Sequence, residues 1–198
     1  MPSPGPVFRS DPRSGADRSP CWLRDAIRGR IGQVQPELPT GTLTFVFTDI
    51  EGSTRLLREL GPERYAGVLG EHRRVLREAF TRHGGVEVDT QGDGFFFAFP
   101  TAPGALEAAR KAQGELSLPV RMGLHTGAPL STKEGYVGAD VHRAARVAAC
   151  AHGGQVLLSA ATANLVRGDA LRDLGEHRLR IFRLRSASIS SVTSSFRR

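Results

Sequence analysis

The 198-residue chain is short of cysteine, lysine and long apolar runs, and each shortage excludes something. Cys21 and Cys150 are its only cysteines, too few and too far apart for a disulfide framework or a structural zinc site. No apolar run is long enough to span a bilayer, and no signal-peptide pattern opens the chain, so a cytoplasmic location without membrane contact is expected. Lys111 and Lys133 are the only lysines among 27 basic residues, so arginine carries the formal net charge of +7. That excess fits arginine-rich codon usage better than nucleic-acid binding, and nucleic acid is not an expected partner. A Walker A loop, a GxSxG elbow and a Rossmann GxGxxG are absent, which removes three common phosphate and acyl-transfer chemistries.

What is present is one core between two tails. Residues 1–40 are rich in Pro, Gly, Ser and Arg and poor in aliphatics. Such a segment buries too little apolar surface to offset its ordering entropy and is expected to be disordered. Within it, WLRDAI (22–27) fits a short helix, and a start codon assigned upstream of the true domain would give the same composition. Residues 186–198 are Ser-rich and are expected to be loose. A single folded domain is expected over 41–185.

Inside that domain the pattern alternates. LTFVFTDI (43–50) reads as a strand and STRLLREL (53–60) as a helix with Ser53 as its N-cap. A second helix starts at Pro62, and its apolar face runs through Tyr65, Val68, Leu69, His72, Leu76, Ala79 and Phe80. VEVDT (86–90) and FFFAF (95–99) flank Gly92-Asp93-Gly94, a hairpin signal. Helices are expected at 102–116, 138–151 and 160–167, and strands at 120–127, 155–159, 171–179 and 181–185. The order β-α-α-β-β-α-β-α-β-α-β predicts an α+β fold: a ferredoxin-like split βαβ arrangement, with a mixed or antiparallel sheet and helices on one face.

The chemistry gathers at FTDIEGST (47–54). Asp49 closes the first strand, and Asp93 tips the hairpin of the second and third. In a split βαβ sheet these strands adjoin, so the two carboxylates converge. Hard oxygen donors at a strand edge suit Mg²⁺ or Mn²⁺, which leave positions for phosphate oxygens. Glu51, Gly52, Ser53 and Thr54 follow at a helix start, where free N–H groups favour an anion. Metal carboxylates beside an anion cradle describe a nucleoside triphosphate site. Either feature alone is an ordinary turn or cap; the pair in adjacent strands points to function. His142 and Arg146 lie four apart and share a helix face, from which an arginine could stabilise a transferring phosphoryl group. His125, ending an apolar strand, reads as a hydrogen-bonded structural histidine.

FTDIEGST, the TQGDGFFFAF hairpin, VRMGLHTG and the GADVHRAARVA helix, in this order, resemble the catalytic domain of class III adenylyl/guanylyl cyclases from about Gly41 to Leu184. The resemblance implies the nucleotide cyclase fold, a head-to-tail homodimer with active sites at its interface, and formation of a cyclic 3′,5′-nucleotide (cAMP or cGMP) and pyrophosphate from ATP or GTP. It implies two Mg²⁺ or Mn²⁺ ions held by Asp49, Asp93 and the Ile50 carbonyl. Arg121 matches a phosphate-contacting arginine, and Arg146 the transition-state arginine supplied by the partner subunit. Three positions depart from the adenylyl pattern. Asp89 stands where a base-reading lysine is usual, Gly135 near the position of an Asp or Thr, and His142 in place of an asparagine. A carboxylate at 89 favours guanine, which offers it two donors, over adenine, which offers one. The C-terminal hairpin is short for the family, which leaves a basic phosphate contact at Arg178 or Arg180 open. An active cyclase in intracellular signalling is expected; the alternative is a degenerate cyclase-homology domain that binds nucleotide or dimerises as a regulatory module. A third reading, nucleic-acid binding through the Arg-rich tails, would show steep salt dependence.

Overall fold

The computed structural model describes residues 38–166, 171–177 and 187–193. The expected helix at 22–27, the strand at 181–185, Arg178 and Arg180 lie outside them.

Strand β1 (Leu43–Ile50) is buried along its whole length, as expected of a strand that carries apolar residues toward both faces of a covered sheet. Helices α1 (Ser53–Leu60) and α2 (Pro62–Arg82) follow. The hairpin of β2 (Val86–Gln91) and β3 (Gly94–Phe99) comes next, then α3 (Ala102–Glu115) and β4 (Val120–Gly127). A small hairpin of β5 (Leu130–Thr132) and β6 (Gly135–Val137) leads into α4 (Ala139–Cys150). The chain ends on β7 (Gln155–Ser159), α5 (Ala160–Ala163), β8 (Arg172–His177) and β9 (Ala187–Thr193). The main sheet has the order β2-β3-β1-β4-β7-β9-β8 and mixes parallel and antiparallel pairs. Its first four strands keep the split βαβ order, so the α+β expectation holds. Among the described residues no helix is long and apolar enough to cross a membrane.

The sheet is covered on both faces, which corrects the one-face expectation. On the first, α2 and α3 pack Leu76, Phe80 and Leu106 onto Val46, Ile50, Phe95, Phe97, Met122 and Leu124. On the second, α4 lays Val141, Ala144, Ala145 and Ala148 over Phe45, Phe47, Phe96 and Ala98. Each fully buried phenylalanine contributes about 2–3 kcal/mol relative to exposure. The helix on the second face is alanine-rich because it must approach closely: a β-carbon on Gly123 would meet the Ala148 backbone.

Two further expectations change. Residues 187–193, expected within a loose tail, form β9 and pair with both β7 and β8. Ladder bonds to two neighbours satisfy the backbone there, so serine's low strand propensity is overridden. The β5–β6 hairpin was not anticipated, because three-residue strands carry almost no periodicity. In β2 the ladder slips: Glu87 opposes Phe97, yet Asp89 opposes Phe96, with Val88 as the extra residue of a bulge.

Candidate functional site

The structure sets Asp93 against the backbone of Ile50, the residue that follows Asp49. β1 pairs with β3, whose hairpin with β2 carries Asp93 at its tip. The Ile50 amide, next to Asp49, donates to Asp93 Oδ2 at 3.2 Å. The Asp93 carboxylate thus reaches the end of β1 that carries Asp49, and both side chains supply hard oxygen. That donor set fits Mg²⁺ or Mn²⁺ rather than a soft-ligand metal. Among the described residues no three His, Cys, Asp or Glu side chains form a metal cage, so an ion here would complete its shell with ligand oxygens.

Arg121 stands directly opposite Asp49 across β1 and β4. Its Nε donates to Asp49 Oδ2 at 2.9 Å, and a terminal guanidinium nitrogen donates to the same oxygen. Both residues lie on the α4 side of the sheet, since Phe47 and Gly123, two positions before and after them, face that helix.

The loop after β1 differs in detail from its expectation. Gly52, not Ser53, caps α1: its left-handed φ of 74° turns the chain, and Ser53 is the first helical residue. The Glu51 carboxylate accepts from the Gly153 amide at 3.0 Å and lies 3.5 Å from the His152 ring. That amide bond, ahead of His152, holds Glu51 below the usual carboxylate range. Its side chain therefore ties the loop to the β7 approach.

Three residues of α2 belong to the site and escaped the sequence reading. Burial pushes the Tyr65 phenol pKa up, and the charges of Asp93 and Asp49 add to that. His72 is buried and meets the Asp93 carbonyl at 3.1 Å. Arg73 donates to the Gly92 carbonyl at 2.5 Å. Tyr65 and His72 sat in the apolar stripe of α2, where periodicity reads them as core; only the long-range contact gives them their place.

His142 and Arg146 lie one turn apart on the outer side of α4, His142 exposed and Arg146 half-buried. Asp89 sits on the bulge of β2, where its Oδ1 accepts from the Thr90 amide at 2.9 Å. Gly135, with φ 124°, lies near the Val88 side chain. His125 is the structural histidine expected: buried, with Nδ1 2.7 Å from Ser159 Oγ and Nε2 3.2 Å from Asp140 Oδ1.

Residues 36–114 match the family described as the adenylate and guanylate cyclase catalytic domain. An uncharacterised protein of Mycobacterium tuberculosis (H37Rv) is 44% identical over 151 residues, covering 72% of this chain and 53% of that protein. An adenylate cyclase of Podospora anserina is 34% identical over 169 residues, covering 68% of this chain and 8% of that protein. The chain thus spans about half the length of the mycobacterial relative and a small part of the fungal one. A solved structure of an adenylate cyclase from Trypanosoma brucei in its monomeric state superposes with a TM-score of 0.68 at 26% identity, covering 79% of this chain and 91% of that one.

Proposed function

This chain belongs to the class III adenylyl/guanylyl cyclase catalytic-domain family, and on that premise we propose that it converts a nucleoside triphosphate into a cyclic 3′,5′-nucleotide and pyrophosphate. The observation that carries the reading is the meeting of Asp93 with the Ile50 amide beside Asp49, ahead of a glycine-turned helix start.

In this reading Asp49, Asp93 and the Ile50 carbonyl hold Mg²⁺ or Mn²⁺, which supplies Lewis acidity toward the ribose 3′-hydroxyl and the triphosphate oxygens. The 3′-oxygen bonds to the α-phosphorus, the bond to the bridging oxygen of the β-phosphate breaks, and the hydroxyl proton passes to water. Backbone N–H groups of Gly52, Ser53 and Thr54 hold the phosphate tail, with Arg121 as its side-chain partner. Arg146, from the second subunit of a head-to-tail homodimer, stabilises the charge that develops on the transferring group. His142 orients the ribose or a phosphate oxygen. Asp89 faces the base and, as an acceptor, favours GTP over ATP.

A second reading, a nucleotide-binding module without turnover, is favoured by one observation. Asp89, Gly135 and His142 replace the base-reading and ribose-positioning residues usual in adenylyl cyclases. Purified protein incubated with Mn²⁺ and either ATP or GTP, with cyclic product followed by mass spectrometry, separates the two. Cyclic product supports the enzyme. Bound nucleotide without product, in a verified dimer, supports the module.

A further inference from the structure

We propose that Arg121 is a latch on the metal site: it holds the Asp49 oxygen that a divalent cation would take, and it leaves when a triphosphate offers a better anion. This rests on the cyclase reading above and adds to it an order of assembly. Cation and triphosphate bind as a coupled pair, and the free cation binds weakly.

The geometry carries the argument. Both guanidinium contacts go to a single carboxylate oxygen, Asp49 Oδ2, not one to each oxygen as in the two-pronged pairing arginine commonly makes with carboxylates. A cation approaching that oxygen must displace a positive group from it. The pair is mostly covered, with 23% of the Arg121 side chain and 10% of the Asp49 side chain exposed, so solvent screens the conflict poorly. The place to which Arg121 would move is close by. The Glu51 amide donates to the Pro119 carbonyl at 2.9 Å, which sets the loop at 51–54 beside the start of β4. A phosphate on that loop would compete with Asp49 for the guanidinium. One side chain with two mutually exclusive partners couples the two binding events, and the coupling is reciprocal.

The test is Mn²⁺ binding to the full chain without nucleotide, followed by the electron paramagnetic resonance of free Mn²⁺. Arg121→Gln is expected to bind Mn²⁺ about tenfold more tightly than wild type, a coupling of ordinary size. The same variant is expected to bind tripolyphosphate less tightly when no metal is present. Arg121→Lys keeps the charge but cannot make the two-nitrogen contact, and its Mn²⁺ affinity is expected between the other two. Wild-type Mn²⁺ affinity in a folded Arg121→Gln chain overturns the latch. Should that variant fail to fold, wild-type affinity in Arg121→Lys overturns it instead. Asp49→Asn separates this failure from failure of the cyclase reading. Mn²⁺ binding that Asp49→Asn abolishes but Arg121→Gln leaves unchanged sinks only the latch. No Mn²⁺ binding by any variant, with or without triphosphate, sinks both.

Discussion

Gly123 lies directly beneath Ala148: a β-carbon on the glycine would come within 2.1 Å of the Ala148 amide nitrogen. This contact sets how low α4 sits on the sheet, and α4 carries Arg146 while β4 carries Arg121. Backbone occupies the space on the helix side, so it cannot be relieved by a rotamer change. Gly123→Ala is expected to cost about 3 kcal/mol, a fall in Tm on the order of 10 °C for a chain of this size. Thermal unfolding followed by circular dichroism checks it, and an unchanged Tm would mean the helix is not held at this depth.

Asp49→Asn and Asp93→Asn preserve side-chain volume and remove a carboxylate charge. Each is expected to lower metal-dependent turnover on the order of a hundredfold or more, since losses in the outer shell of a metal alone cost about 10–100-fold. The far-ultraviolet spectrum should stay that of wild type. A folded variant with full turnover would remove the metal site from the mechanism.

If metal aspartates and transition-state arginine come from different subunits, two dead proteins can repair each other. Asp49→Ala and Arg146→Ala, each inactive alone, are expected to regain part of the activity when mixed and allowed to exchange subunits. One interface site of the mixed dimer is then intact. Absence of rescue, with mixed dimers demonstrated, would place both groups in one chain.

His125 supplies a pH dependence whose sign follows from its surroundings. It is buried, and Ser159, Asp140 and Arg143 face its ring nitrogens. Burial pushes its pKa below the ordinary imidazole value of 6.5, against the pull of the Asp140 carboxylate, and His72 shifts the same way for the same reason. The folded chain therefore binds fewer protons than the unfolded one near that pH. Stability is fully present above 6.5 and declines as pH falls through the lower folded-state values. A Tm plateau above about pH 7 and a decline toward about pH 5 are expected. His125→Gln should lower the plateau and flatten part of the slope, and an unchanged slope would take His125 out of the linkage.

Much of the site could be read from residues alone, because its parts are local. The apolar run of β1 ends in Asp49, and Asp93 sits in a glycine-flanked turn. Any sheet that pairs β1 with that hairpin joins them. The roles of Tyr65, His72 and Arg73 could not be read, since α2 meets the hairpin only after the chain has folded back. The second layer of helix was readable in principle: LTFVFTDI is apolar on both faces, which a sheet covered on one side does not require. The latch between Arg121 and Asp49 was hidden because register, not spacing, places them opposite each other 72 positions apart. Ser53 lost its cap role to Gly52 because the tight exit from β1 needs a positive φ.

The slip between Glu87 and Asp89 gives the site an arithmetic of odd and even. Residues two apart in a strand ordinarily share a side, but Val88 is skipped by the ladder, and Asp89 turns to the side of Phe96 while Glu87 keeps that of Phe97. Deleting Val88 would keep Asp89 on the side of Phe96 and remove only the local bend, because Glu87 and Asp89 would then occupy successive rungs of a regular ladder. What position 89 can touch is thus governed by parity as much as by its carboxylate.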